Sequence, residues 1–142
     1  MTAKEFLCQA YRLDVRIKSD KRELEELRSL AAGVGSPGFE RSYNPNKAIE
    51  PPFLKALERI QDMEAWINAE IDSLIKKKAE IREVIDEVED FDQQTLLRYR
   101  YLHHASWDEI CNEMHFGLRW LHILHGKALS ATEDVLRRRG LQ

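Results

Sequence analysis

The residues best suited to chemistry lie together on one predicted helix, which begins at residue 118. The helical period leaves one face of this helix outward, and that face carries Leu118, Arg119, Trp120, His122, Ile123, His125 and Lys127. Arg119 is the best candidate for a guanine contact, because its planar guanidinium matches the O6 and N7 acceptors of that base. Lys127 suits a DNA phosphate. The pattern therefore predicts contact with double-stranded DNA.

This predicted DNA surface is extended by residues that precede the helix, and we expect them to lie near phosphates. They are Arg98, Arg100, His103 and His104. Leu118 and Trp120 are unusual at a base-reading position, although the methyl group of thymine accepts an apolar contact. A rival interpretation stays open. In it, the outward residues form a protein-contact patch and touch no DNA.

Metal binding and catalysis are both disfavoured by the sequence. His122 and His125 are spaced i, i+3, but two ligands do not make a structural zinc site, and neither cysteine belongs to a CxxC pair. The sequence contains no Gly-rich phosphate loop, no nucleophile elbow and no HExxH motif. We therefore expect no enzyme activity and no cofactor. Cys8 and Cys111 are expected to be buried thiols in a reducing compartment.

The elements that must position the outward residues follow from the apolar pattern of residues 95–129. The pattern predicts a helix, a short second helix over Trp107–Met114, a tight turn and a third helix from Leu118 to about Arg138. Ser106 followed by Glu109 is a capping box that starts the short helix. This order of elements is that of a helix-turn-helix, which inserts one helix into the major groove of DNA.

Two longer helices are predicted before this motif. Over residues 3–31 and 53–88, apolar residues alternate at three- and four-residue spacing, which is a heptad seam. A narrow apolar seam is unstable alone in water, so we expect the two helices to form an antiparallel coiled-coil hairpin. The acidic segment 86–94 closes the second helix, with Asp90 and Asp92 at the boundary and Asp92 as the expected cap of the next helix.

Apolar residues beside the seam favour self-association. Leu30, Leu54 and Trp66 widen the stripe beyond what a two-helix hairpin covers, so we expect a homo-oligomer formed through the coiled coil. Polar residues interrupt the seam at Asp20, Glu64 and Lys78. They either fix the register, as single polar core residues can, or lie just outside the contact.

A loop is predicted between the two long helices. All four prolines and three of the six glycines fall between residues 33 and 52, so the loop is assigned to residues 32–52. Phe39, Tyr43 and Ile49 would either pin this loop against a helix or belong to a disordered segment.

The charge of the chain is divided unevenly. The 142 residues have a formal net charge of −3. Residues 96–142 hold seven Lys/Arg against five Asp/Glu and contain all five histidines, so this third is weakly positive and the remainder is negative. Only the C-terminal third has the sign that attracts phosphate. No apolar run is long enough to span a bilayer, and no secretory signal is visible.

The C-terminal run LLRYRYLHHASWDEICNEMHFGLRWLHILHGKALS resembles the helix-turn-helix of sigma factor region four. The matching residues are Leu97, Tyr101, Ser106, Trp107, Glu109, Ile110, Met114, Leu121, Leu124, Lys127, Ala128 and Leu129. The chain departs from that pattern at His115, Gly117 and Gly126. With its coiled coil and SPG-containing loop, the whole chain resembles a family of small phage and prophage proteins, akin to late-gene regulators of the ArpU and RinA kind.

The resemblance implies a phage or prophage transcriptional regulator in the cytoplasm of a bacterial host, and RNA polymerase as a further partner by analogy. The expected fold is all-α, with a coiled-coil hairpin over residues 1–91 and a helix-turn-helix domain over residues 92–142. We expect no membrane contact. The alternative function is a coiled-coil interaction or assembly module that does not bind DNA.

Overall fold

A computed structural model describes residues 1–34 and 51–141, and every regular element in these two ranges is helical. The predicted all-α class is confirmed. The helices are α1 (Ala3–Leu7), α2 (Gln9–Val34), α3 (Pro51–Asp86), α4 (Phe91–Leu97), which continues as a π-helical turn (Arg98–Leu102), α5 (Trp107–Met114) and α6 (Leu118–Arg139). The ends of the predicted loop are helical, and its centre, with Phe39, Tyr43 and Ile49, lies outside the described residues. In the described ranges, no helix is both long and apolar enough to cross a membrane.

The chain divides into two compact units. Unit 1 contains residues 1–14 and 73–142, and unit 2 contains residues 15–72. The predicted boundary between residues 91 and 92 does not coincide with this division. The reason is that the N-terminal helix packs with the C-terminal residues: Leu7 and Leu136 are both fully buried in the same apolar cluster.

The main core of unit 1 joins the two ends of the chain. Its fully buried side chains include Leu7, Ile81, Ile85, Leu97 and Leu136, and each contributes about 1.5–3 kcal/mol by leaving water. The start of α1 is fixed by a capping box between Thr2 and Glu5. The backbone N–H of Ala3 also donates to the Glu133 carboxylate at 2.7 Å, which ties the first helix to α6.

A second cluster fills the angle between α5 and α6, which we call the α5–α6 corner (residues 105–128). Its buried residues are Leu96, Ala105, Ile110, Leu121 and Leu124. Helix α5 has the predicted bounds and cap: the Glu109 N–H donates to the Ser106 hydroxyl at 3.2 Å, and the Glu109 carboxylate accepts from the Ser106 N–H. Cys111 lies at the edge of this cluster, and both it and Cys8 are half-buried free thiols rather than buried ones.

The turn between α5 and α6 contains a strained residue. His115 has φ 57° and ψ 38°, which is the left-handed region that favours glycine. Gly117 then caps α6 with extended backbone and no side-chain hydrogen bond. Helix α6 therefore begins at residue 118, as the sequence predicts, and its first turn has only backbone at its cap.

The start of α4 corrects one prediction. Helix α4 begins at Phe91, and Asp90 is its N-cap, with a carboxylate that accepts from the Gln93 N–H at 2.9 Å. The expected cap, Asp92, lies in the first turn instead. It still suits that position, because a negative side chain there faces the positive end of the helix dipole.

The π-helical turn was not predicted, and it has a packing reason. Leu96 and Leu97 are fully buried. Five residues later, Tyr101 and Leu102 are almost fully buried as well. A five-residue spacing matches the wider π turn, which is closed by a hydrogen bond from the His103 N–H to the Arg98 carbonyl at 3.1 Å. The wide turn thus keeps both apolar pairs on one face.

Unit 2 consists of parts of α2 and α3. Arg28 pairs with Glu64 at 2.6 Å, and Asp20 hydrogen-bonds to Glu70, so residue numbers fall along one helix as they rise along the other. The buried seam residues of this unit are Ile17, Leu24, Ala31 and Ile67. Leu30, Leu54 and Trp66 are exposed. Knobs-into-holes packing and homo-oligomerisation stay predictions.

Candidate nucleic-acid interface at the α5–α6 corner

The first three turns of α6 present a compact exposed surface. Every third or fourth residue points inward, and Leu121, Leu124 and Ala128 are buried. The other side of the helix is the outward face, defined here as Leu118, Arg119, Trp120, Ile123 and Lys127. All five side chains are exposed, including the three large apolar ones at 47%, 43% and 46%. The sequence predicted this exposure correctly.

Two residues of the outward face form a cation–π pair. The Lys127 ammonium lies 5.5 Å from the centroid of the Trp120 ring, an arrangement worth about 0.5–1 kcal/mol at an exposed site. The first carboxylate along α6 is Glu133. The N-terminal two-thirds of the helix therefore carries positive charge alone.

His125 belongs to the interior, which corrects the predicted outward position. Its Nε2 is 2.6 Å from the Tyr101 hydroxyl, and its ring lies 5.0 Å from that of Trp107. Burial lowers the pKa of His125 to about 4, with Lys4 and Arg100 adding to the effect. The same burial raises the pKa of Tyr101 to about 12. His125 is therefore neutral at pH 7 and supplies no charge for a phosphate.

His122 also turns towards Trp107. The two ring centroids are 4.6 Å apart, although the residue remains exposed overall. Its contact with DNA stays a prediction, and in the structure its ring packs against Trp107 of α5. Tyr101, Trp107, His122 and His125 form one ring cluster, which the sequence analysis missed. The available signal was the i, i+3 histidine pair opposite two aromatic residues.

Arg100 also contacts residues of the α5–α6 corner. Its guanidinium donates to the Ala105 carbonyl at 3.0 Å and lies 4.9 Å from the centroid of the Trp107 ring. The side chain is half-buried. Arg100 was predicted to contact phosphate, and here it fixes the segment that leads into α5.

The other three predicted phosphate contacts are dispersed. Arg98 is half-buried and forms an ion pair with Asp86 at 2.5 Å. The ring of His104 lies 5.4 Å from that of Tyr11, on a residue with φ 54°. His103 is exposed, with its ring 5.9 Å from that of Tyr99. The structure therefore brings these residues to three different neighbours rather than into one surface with Arg119.

Negative charge lies on the helix next to the outward face. Helix α5 exposes three carboxylates, Asp108, Glu109 and Glu113, which oppose an approaching phosphate backbone. At the far end of α6, Arg137 pairs with Asp134 at 3.1 Å, and Arg139 pairs with Glu87 and Glu83. On α6, the N-terminal half therefore carries cations without a carboxylate on the same stretch of helix, whereas Arg137 and Arg139 at the other end are in ion pairs.

Metal ligands are not assembled at this corner. In the part of the chain that the structure describes, no group of three or more His, Cys, Asp or Glu residues is placed to hold a metal ion. The two histidines considered for metal binding both have their rings against Trp107.

A known protein family matches the region that contains the α5–α6 corner. Residues 58–131 match the family described as "Protein of unknown function (DUF1492)". The match covers more than half of the 142 residues, and the chain belongs to this family. The matched region runs from within α3 to within α6 and includes the whole outward face. No curated protein and no solved structure matches the chain.

Proposed function

We propose that α4, α5 and α6 form a helix-turn-helix that binds double-stranded DNA, with α6 in the major groove. The observation that carries this proposal is the outward face itself. An eight-residue helix and a three-residue turn lead into a helix whose first three turns expose Arg119 and Lys127 and carry no carboxylate. In a helix-turn-helix, these N-terminal turns are the ones that contact base edges.

The roles of the residues follow from their chemistry and support. Arg119 is exposed at the second residue of α6, where a guanidinium can contact guanine O6 and N7. Lys127 lies two turns further along and contacts a phosphate. The ring cluster and Arg100 act as positioning residues, because they hold α6 at a fixed angle to α5 without touching DNA.

The biological setting of the proposal rests on the resemblance to sigma factor region four. It places the protein among regulators of phage or prophage transcription, with RNA polymerase as a further partner. In unit 2, exposed Leu30, Leu54 and Trp66 offer apolar surface for self-association. A dimer formed through these residues would carry two DNA-reading helices.

The direct test is a fluorescence-anisotropy titration of the full chain against a labelled pool of random-sequence duplexes. The proposal predicts saturable binding that Arg119→Ala weakens at least about fivefold, since a charged bidentate contact is worth about 1–3 kcal/mol. Ser130→Ala is the matched control, because Ser130 is exposed on the same helix beyond the outward face. Absence of binding at about 50 mM salt, where phosphate attraction is strong, contradicts the proposal.

A second candidate function is protein binding through the same corner. Two observations favour it: the apolar exposure of Leu118, Trp120 and Ile123, and the three carboxylates on α5. An apolar patch rimmed by charge is typical of a protein-contact site. This candidate predicts no duplex binding in the titration above, so one measurement separates the two functions.

A further inference from the structure

The outward face of α6 carries no carboxylate, amide or hydroxyl side chain. Between residues 118 and 127 there is no Asp, Glu, Asn, Gln, Ser or Thr. The two histidines in this range have their rings against Trp107, and the Nε2 atom of His125 is engaged with Tyr101. What remains is one guanidinium, one ammonium and three apolar side chains.

Such a surface is selective among the bases of the major groove. Adenine and cytosine each present an amino group there, and reading that group needs an acceptor such as Asn, Gln or a carboxylate. Guanine presents two acceptors, which suit a guanidinium. Thymine presents an acceptor and a methyl group, which suits apolar contact. The chemistry of the face therefore complements guanine and thymine and has no group for the other two.

The positions of the side chains fit this division of labour. Arg119 and Ile123 are one turn apart on the most exposed line of the helix, and Leu118 and Trp120 flank Arg119. Lys127 lies over the Trp120 ring, so the edge of the tryptophan is supported by a cation that also attracts phosphate. Gly126 lies between Ile123 and Lys127 on this surface, and a Cβ there would meet nothing within 4 Å.

We propose, on the basis of the DNA-binding function above, that the outward face reads guanine with Arg119 and thymine methyl groups with Leu118, Trp120 and Ile123. The target is then a site in which guanine and thymine occupy the contacted strand. Thymine recognition depends on the C5-methyl group, which adds apolar contact but no charge or hydrogen bond.

The experiment begins by selecting duplexes that the full chain binds from a pool with a randomised centre. The selected duplexes are then remade with deoxyuridine for thymidine, which removes only the C5-methyl groups. A second set replaces guanine by 7-deazaguanine, which removes the N7 acceptor. All duplexes keep the same phosphate charge, so any change in affinity comes from the base edges.

We expect deoxyuridine to weaken binding about fourfold for each contacted methyl group, because burying one such group is worth about 0.8 kcal/mol. We expect 7-deazaguanine to weaken it about tenfold, since a hydrogen bond to a charged group is lost. Ile123→Ala and Trp120→Ala should each reduce the effect of deoxyuridine, and Arg119→Ala should remove the effect of 7-deazaguanine. Ser130→Ala should leave both effects unchanged.

Two results overturn this inference while leaving DNA binding intact. One is selected duplexes whose affinity survives the loss of every thymine methyl group. The other is binding without sequence preference, in which no duplex is enriched. Failure to bind any duplex is a different result, because it contradicts the proposed function itself. Circular dichroism of each variant checks that its helices are retained.

Discussion

The contact between Tyr101 and His125 joins the π-helical turn to α6. The hydroxyl and Nε2 are 2.6 Å apart, and burial raises the pKa of Tyr101 to about 12, so the hydroxyl keeps its proton and can donate to a neutral His125. His125 must then be neutral to accept, which agrees with its lowered pKa of about 4. Its protonation would turn Nε2 from acceptor into donor and place an uncompensated charge in a half-buried site beside Trp107.

The first prediction concerns acid stability. In the unfolded chain His125 titrates near 6.5, and in the folded protein near 4. Its contribution is therefore fully present above pH 6.5 and is lost as the pH falls towards 4. His125→Gln keeps an acceptor for Tyr101 without titrating, so the melting temperature of this variant should fall less than that of the wild type between about pH 7 and pH 5.

The control for this prediction is His103→Gln, which changes an exposed histidine in the same unit. Its acid sensitivity should match that of the wild type. Equal acid sensitivity of the wild type and His125→Gln would show that His125 does not carry the effect.

The second prediction compares two glycines of α6. An added Cβ at Gly126 meets nothing within 4 Å, so Gly126→Ala should stabilise the protein by about 1 kcal/mol through helix propensity. Gly140 has φ 69° at the end of the helix, so Gly140→Ala should destabilise it by about 1 kcal/mol. Urea denaturation measures both. Destabilisation by Gly126→Ala would mean that this face is covered in solution, as by a second copy.

For individual residues of α6, the sequence predicted solvent exposure more accurately than it predicted side-chain contacts. Helical periodicity placed Arg119, Trp120 and Lys127 outward, because exposure depends mainly on the angle around the helix axis. His122 and His125 lie at the borders of that face, where side-chain rotation decides between solvent and the Trp107 ring. Periodicity holds no information about side-chain rotation, so it places the two histidines on neighbouring turns but does not predict their contacts with Trp107.

At the scale of elements, unit 2 contains a pair of acidic side chains that faces inward. Glu70 is only 8% exposed, and one carboxylate oxygen each of Glu70 and Asp20 is buried without a hydrogen-bond donor. Two ionised carboxylates are both acceptors, so they satisfy each other only when they share a proton. Burial and the neighbouring Asp20 raise the pKa of Glu70 to about 7, against the opposing effect of Arg16.

The third prediction concerns stability at alkaline pH, because the contribution of Glu70 is lost as the pH rises, whereas that of His125 is lost as the pH falls. Because the pKa of Glu70 rises from 4.5 unfolded to about 7 folded, its stabilising effect is full below pH 4.5 and is lost as the pH rises through 7. Glu70→Gln, which mimics the protonated form, should raise the melting temperature at about pH 8 by several degrees. The exposed Glu58→Gln is the control on the same helix.

A direct reading of this pair comes from carbon-13 NMR of the side-chain carboxyl groups in the full chain. We expect the Glu70 carboxyl group to titrate with a pKa of about 7. Titration of Glu70 with a pKa near its ordinary value of 4.5 would contradict the shared proton, whatever the melting temperatures show.

The predicted elements differ in accuracy for physical reasons. The bounds of α5 and the start of α6 follow from local signals, namely the capping box at Ser106 and the turn at His115–Gly117. The start of α4 was placed two residues late, because Asp90 and Asp92 are equally good caps by residue type. The π-helical turn of residues 98–102 has no local signal, since only the burial of two separated pairs requires it.

At the scale of the whole molecule, the division into units differs from the predicted domains. Phe6 and Leu7 of α1 pack in the same cluster as Ile81, Ile85 and Leu136. These residues come from three separate parts of the sequence. Contact between distant segments leaves no periodic pattern, so the sequence predicted a C-terminal domain that begins at residue 92 and lacks these partners.

The fourth prediction follows from this arrangement. A fragment of residues 92–142 would expose Leu97, Val135 and Leu136, which α1 and α3 help to bury in the full chain. We expect the fragment to lack a cooperative thermal transition, whereas the full chain shows one. Circular dichroism and amide proton dispersion in NMR report the difference. A fragment that melts cooperatively would support the predicted boundary instead.

If α6 binds DNA through few cations, the affinity for a random-sequence duplex should depend only weakly on the salt concentration. Lys127 is the cation of the outward face that is assigned to a phosphate, so we expect a slope of log affinity against log salt of about −1 per protomer. Lys127→Ala should reduce this slope by about 1. No binding at about 50 mM salt, or a slope that Lys127→Ala leaves unchanged, would contradict DNA binding by α6 through Lys127.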